Sequence, residues 1–235
     1  MKAQQRIKLS PAVLRLAGIK AASPDAKAFL ESAVAGRALG MQDATTDRYG
    51  RIVAVVSVQG EPQSLEDGLL QAGMAFVYPA TDDAHLDSWC ESEHAARLAK
   101  RGFWRDHLDV AASDAENLYG QYGFIVGTVT KTERVKNKVY VTFGTDRGAG
   151  LTLMIAAHNL RAFKKQGLDA LSWQGKTMRV RGWIKHDSTP AIILTDPHQV
   201  EVIKQPLIST HRSDKTACPV LSLPCDAPTS LCACR

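Results

Sequence analysis

The residues of this chain whose types and spacing could do chemistry are mostly cations. Arg51 follows the turn Asp47-Arg48-Tyr49-Gly50 and precedes five apolar residues, Ile52 to Val56. An aspartate that bonds its own backbone and a glycine free to take positive φ make a tight turn. The apolar run predicts a strand buried on both faces. An arginine at that junction is aimed by a rigid scaffold, and its planar fork can meet two phosphate oxygens at once. The same side chain could instead partner Asp43 or Asp47. A second group, Lys131, Arg134, Lys136 and Lys138, crowds the connection between two predicted strands. A third lies on the predicted strand 177–185. There, period-two alternation puts Met178, Val180, Gly182 and Ile184 on one face and Arg179, Arg181, Trp183 and Lys185 on the other. Basic residues beside an aromatic on one strand face suit a phosphate backbone with a stacked base. The plainer readings are a solvated charged loop and a tryptophan packed at a sheet edge.

Metal chemistry has little support in the pattern. His85, Cys90 and His94 share a predicted helix, with Cys90 and His94 on one face, but one such pair is not a site, and Cys90 reads as packed with Leu86 and Trp89. The remaining cysteines, Cys218, Cys225, Cys232 and Cys234, lack zinc-site spacing. The net charge of +5 on 235 residues is uneven. Residues 1–106 are neutral, residues 107–204 carry +4 and residues 205–235 carry +1. The excess in the second half favours polyanions. No apolar run reaches the ~20 residues of a membrane span, and Met1 to Arg6 leads into no apolar core of signal-peptide length.

Several elements must position these groups. Arg6–Leu9 and Val13–Ile19 read as strands. Ser23-Pro24-Asp25 opens a helix that stops near Gly36. Arg37–Met41 and Arg51–Val58 are strands. Ser64, with Asp67 three residues on, caps a second helix. A third runs over about 84–101, opened at Thr81-Asp82-Asp83 and closed by Gly102. Residues 107–118 read as a linker or short connecting helix. Beyond Tyr119 come strands at 122–131, 138–144 and 151–156, a helix at about 159–166, and strands at 177–185, 191–194 and 199–203. That order is the order of an OB-fold barrel. The domains are therefore 1–106, a linker over 107–118, an OB-like domain over 119–204 and a disordered, cysteine-containing tail over 205–235.

Asp47 to Arg51 with its strand, Ser64 to Ala75, Glu91 to Trp104 and the upstream run Val13 to Ile19 together resemble the thermonuclease, or staphylococcal-nuclease-like, family over about residues 6–106. Tyr140 to Gly144, Arg179 to Trp183 and Asp196 to Val202 resemble the C-terminal OB-like domain that accompanies some bacterial thermonuclease-like proteins. The family resemblance implies an α+β, mainly β fold: an OB-type barrel with three helices, here followed by a second barrel. It also implies calcium-dependent cleavage of DNA and RNA phosphodiesters, with carboxylates holding the ion and two arginines stabilising charge on phosphate. The arginines implied here are Arg15 and Arg51. The family's Asp-x-Pro-Glu segment, however, falls on Lys20-Ala21-Ala22-Ser23, and Met1 to Gln5 holds no acid for its Gly-Asp-Thr turn. Asp25, the one nearby carboxylate, reads as a first-turn helix acid.

The first expectation is thus a degenerate thermonuclease-like protein that binds nucleic acid or another polyanion, has no metal site as written, and cleaves weakly or not at all. The second is an active calcium-dependent endonuclease whose opening strand lies upstream of this sequence; relatives of that family are usually exported. The third is a structural or protein-interaction module.

Overall fold

Each half of the chain combines helices with a β-sheet in which a parallel strand pair lies beside antiparallel ones: residues 14–16 with 52–58 in the first and 189–194 with 152–156 in the second. The computed structural model describes residues 13–79, 84–144, 150–187 and 189–203. In the first half, β1 (Leu14–Leu16), β2 (Ile19–Ala21), α1 (Asp25–Val34), β3 (Leu39–Thr46), β4 (Ile52–Val58), α2 (Leu65–Gln71), β5 (Ala75–Val77) and α3 (Leu86–Leu98) follow in order. β1 is parallel to β4, with Leu14 opposite Ile52 and Arg15 opposite Val53, and β3 is antiparallel to β4. The double-faced burial expected of β4 is found. Val53 and Val55 pack with Leu69, Leu70 and Trp89, while Val56 and Val58 pack with Leu65 and Leu16. β3 is the sheet's edge; all its residues are exposed, and its pairing slips at Asp43, which has φ 51°. Ser64 caps α2 by accepting from Asp67 N at 3.1 Å.

The second half holds β6 (Val110–Ala111), β7 (Tyr122–Val135), β8 (Lys138–Phe143), β9 (Thr152–Ala156), α4 (Leu160–Lys165), β10 (Thr177–Trp183), β11 (Lys185–Asp187), β12 (Thr189–Leu194) and β13 (Val200–Val202). The strands pair in the order β11-β12-β9-β8-β7-β10-β13, with β12 parallel to β9 and the other pairs antiparallel. Strict alternation buries Val139, Val141 and Phe143 of β8 and Leu153 and Ile155 of β9 in the barrel core. The fold is α+β, with an OB-like first half carrying three helices and an OB-like barrel after it.

Two strand pairings, those of β2 and of β6, were not legible in the sequence, although the segment 107–118 was read as a linker or short connecting helix. β2 pairs antiparallel with β5, Lys20 opposite Phe76. Three-residue strands leave no periodicity to read. Residues 107–118 contain β6, which runs parallel to β7, and a 3₁₀ helix over 112–118 whose Ala112 and Ala115 enter the second core. A seam of aromatic residues joins the two halves: Phe76 and Trp104 from the first meet Phe124 from the second, with Tyr78 and Tyr122 beside them. The described residues pack as one compact unit. The close of α2 is fixed by a pair of glycines. Gly73 (φ 68°) and Gly102 (φ 49°) lie backbone to backbone, and Phe103 N donates to Gly73 O at 2.8 Å. A Cβ on either would collide with the other's turn. The strand expected over Arg6–Leu9, the helix start at Thr81-Asp82-Asp83 and the cysteine tail lie outside the described residues.

Candidate functional site

The turn before β4 is organised by Asp47. Its Oδ1 accepts from Tyr49 N and Arg51 N at 2.9 and 3.0 Å. Its Oδ2 accepts from Arg51 Nε and Nη2 at 2.8 and 2.7 Å. Gly50 takes the positive φ, 76°, that the turn requires. Arg51's hydrogen bonds hold the Asp47 carboxyl below its usual pKa, against a smaller opposing effect of burial. Of the two partners open to Arg51 in the sequence, Asp47 is therefore the one used; Asp43 faces His85 at 3.9 Å. The pairing aims Arg51 rather than consuming it, because Nη1 makes no hydrogen bond among the described residues and the side chain still lines a cleft.

That cleft, of about 510 Å³, brings together cations from β1, β2 and the turn before β4. Arg15 comes from β1, Lys20 from β2 and Arg51 from that turn; Leu14, Leu16, Ile19, Leu30 and Leu69 form the apolar floor, and Tyr78 and Trp183 form a wall. Among the described residues, neither Arg15 nor Lys20 has a carboxylate partner and no carboxylate lines the cleft. Lys20 Nζ lies over the Trp183 ring at 5.2 Å and the Tyr122 ring at 5.7 Å from their centroids. Asp25 sits in the first turn of α1, bonded through its N–H to Ser23 Oγ at 3.2 Å, and does not line the cleft. Calcium takes about 6–8 oxygen ligands, chiefly carboxylates and carbonyls. Three cations and one tyrosine hydroxyl, already accepting from Trp183 Nε1 at 2.9 Å, do not fit that ion. Among the described residues no three His, Cys, Asp or Glu side chains group to hold a metal.

The cations of the second half are not one surface. Arg181 is buried, donating to Glu93 of α3 through Nη1 and Nη2, both at 2.7 Å, and to Val77 O at 3.2 Å. Arg179 pairs with Asp109 at 2.6 Å and with Glu201 at 2.8 Å. The expectation that these two arginines face a ligand is corrected. Alternation put them on the outer face of their barrel, but α3 and β5 cover Arg181 there, and Asp109 and Glu201 take Arg179. Trp183, next on the same face, stays 45% exposed. Lys131 pairs with Glu133 at 2.8 Å. Lys138 is half-buried at the start of β8. Arg134 and Lys136 line a separate groove of about 340 Å³ with Arg161 and Lys164 of α4. The last two escaped the sequence reading, although their i, i+3 spacing on one helix face was a signal.

A further groove of about 490 Å³ follows α3 along the seam. Most of its charged groups are already engaged: Glu93 with Arg181, Arg97 with Glu201 at 2.7 Å, and His198 with Asp87 at 2.8 Å. Cys90, half-buried on that groove, packs near Leu86 and Trp89, and burial pushes its thiol up to about 12. No helix among the described residues is long and apolar enough to cross a membrane.

Residues 18–106 match the family model described as staphylococcal nuclease homologue. The matched segment contains Lys20, Arg51 and Tyr78, begins after Arg15, and ends before the second barrel. No curated protein matches the chain.

Proposed function

Since residues 18–106 are a domain of the staphylococcal nuclease homologue family, a family of nucleases, we propose that this protein binds nucleic acid at the Arg15–Lys20–Arg51 cleft and is degenerate as an enzyme. The observation that carries the reading is the cleft's charge. Among the described residues, two cations without a carboxylate partner converge with Arg51, half-engaged by Asp47, in a cleft that no described carboxylate lines. Such a site attracts phosphate and repels a divalent cation. Arg51, fixed by Asp47, supplies a preorganised donor, and Arg15 and Lys20 add charge from neighbouring strands.

Binding a phosphate is not cleaving it. Interactions of equal strength in ground and transition states leave the chemical barrier where it was. Lowering that barrier needs an activated water and a proton acceptor placed together, and none of the described side chains lining the cleft is a carboxylate or histidine. The basic groove of Arg134, Lys136, Arg161 and Lys164 would add affinity without chemistry.

The test joins binding to turnover on purified full-length protein. Fluorescence anisotropy with a labelled oligothymidylate should show binding that falls steeply with salt, because counterions are released. Arg51→Ala and Lys20→Ala should each weaken it about tenfold, the size of one lost charge-assisted contact. Calcium-dependent release of acid-soluble nucleotides from denatured DNA should stay at background. Robust release that depends on both calcium and Arg51 would return the protein to the working nucleases.

A further inference from the structure

We infer that the second barrel completes the cleft: Trp183 is a stacking platform for an unpaired base and makes the site selective for single strands over duplex. The inference rests on the binding role proposed for Arg15, Lys20 and Arg51, and extends it to a residue outside the family match.

Trp183 is unlike the chain's other tryptophans. Trp89, Trp104 and Trp173 are buried, whereas Trp183 is 45% exposed at the end of β10. Exposure alone would not make it a platform; its rigidity does. The indole Nε1 donates to Tyr78 Oη at 2.9 Å, which ties the ring to the first barrel. Tyr122, its register partner on β7, meets it edge-on with ring centroids 6.0 Å apart. The ring is therefore held from both halves before any ligand arrives, which lowers the entropic cost of stacking on it. Lys20 Nζ lies over one face of the ring, 5.2 Å from its centroid, so a base stacks on the opposite face with the ammonium close by. Trp183 also stands between two hollows. One is the cationic cleft; the other, of about 400 Å³, includes Lys185 and Thr195. A strand leaving Arg51 and crossing Trp183 thus meets a further cation at Lys185. Bases of a duplex are already stacked on one another and cannot reach the ring; unpaired bases can.

Three probes of equal length separate stacking from charge: an oligothymidylate, the corresponding duplex, and an oligonucleotide made of abasic sites, which keeps the phosphates and loses the bases. The wild-type protein should bind the oligothymidylate about tenfold more tightly than the duplex or the abasic strand. Trp183→Ala should erase that preference while leaving abasic binding unchanged, and Trp183→Phe should keep part of it. Acrylamide quenching of tryptophan emission gives an independent readout. The accessible component should be lost in Trp183→Phe, and in the wild type it should be protected by the oligothymidylate but not by the abasic strand. Far-UV circular dichroism melts confirm that the variants are folded. If the oligothymidylate binds in an Arg51-dependent way but Trp183→Ala changes neither preference nor affinity, and no quenching protection is seen, the stacking role is overturned and the phosphate site stands. If no probe binds at low salt, both fall.

Discussion

Lys20 shows what one residue decides. It occupies the cleft position at which the family resemblance expects an aspartate, and its ammonium rests on two aromatic rings instead of facing an ion. Lys20→Asp should therefore lower affinity for an oligothymidylate by at least tenfold, exchanging attraction for repulsion. It should restore no calcium-dependent cleavage, because metal ligands act as a set; anisotropy and nucleotide release check both. Glu66 is a second such residue. It is fully buried under β4, both carboxyl oxygens 3.2 Å from Val56 N, and burial pushes its pKa up to about 7 against the hydrogen bonds that favour ionisation. The folded state then holds this proton more tightly than the unfolded chain. Its favourable contribution is complete below about pH 4.5 and is lost as pH rises through about 7. The difference is on the order of 3 kcal/mol. Urea unfolding should show stability falling between about pH 4.5 and 7, and Glu66→Gln should flatten that dependence.

At the scale of elements, α3 is the piece both halves share. It offers Glu93 to Arg181, Arg97 to Glu201 and Asp87 to His198. The His198 pKa is raised, first by its hydrogen bond to Asp196, with burial opposing and Asp87 adding to the rise. A histidine with a raised folded pKa stabilises below its unfolded value, about 6.5, and loses that contribution as pH climbs through the folded one. The bond between α3 and the turn at 197–199 is thus an acid-side bond. Asp87→Asn should lower Tm at about pH 6 and leave it unchanged at about pH 9; thermal melts at the two pH values measure the difference.

For the whole molecule, the Arg181–Glu93 pair makes separate unfolding of the halves expensive. Both side chains are buried, the bonds are bidentate, and Glu93 also accepts from Val77 N at 2.6 Å. Taking away one partner strands a buried charge, at a cost of about 3–5 kcal/mol. Arg181→Ala should show that loss in urea, with one transition followed by both circular dichroism and tryptophan emission. Arg181→Met with Glu93→Leu should recover only part of it, since removing Glu93 leaves the Val77 N–H without its acceptor. Two separate transitions in the wild type would mean that the seam does not couple the barrels.

Local residue order settled much of this protein by itself. The Asp47–Gly50 turn, the doubly buried β4, the Ser64 cap and the OB strand order rest on interactions within a few residues or on period-two alternation, which a sequence displays directly. Alternation also divided β10 and the residue after it correctly: Met178, Val180 and Ile184 are in the core, and Arg179, Arg181 and Trp183 are on the other face. What covers that other face was decided only in the tertiary structure. Glu93 waits on α3 for Arg181, Tyr78 and Lys20 meet Trp183, and Asp109 and Glu201 take Arg179. These partners are far apart in the chain and carry no shared periodicity, so the same arginine pattern reads equally well as a ligand face or as a seam. Burial chose between them: a guanidinium excluded from water must find a carboxylate, whereas Arg15 and Lys20, left at the rim of a cleft, need none.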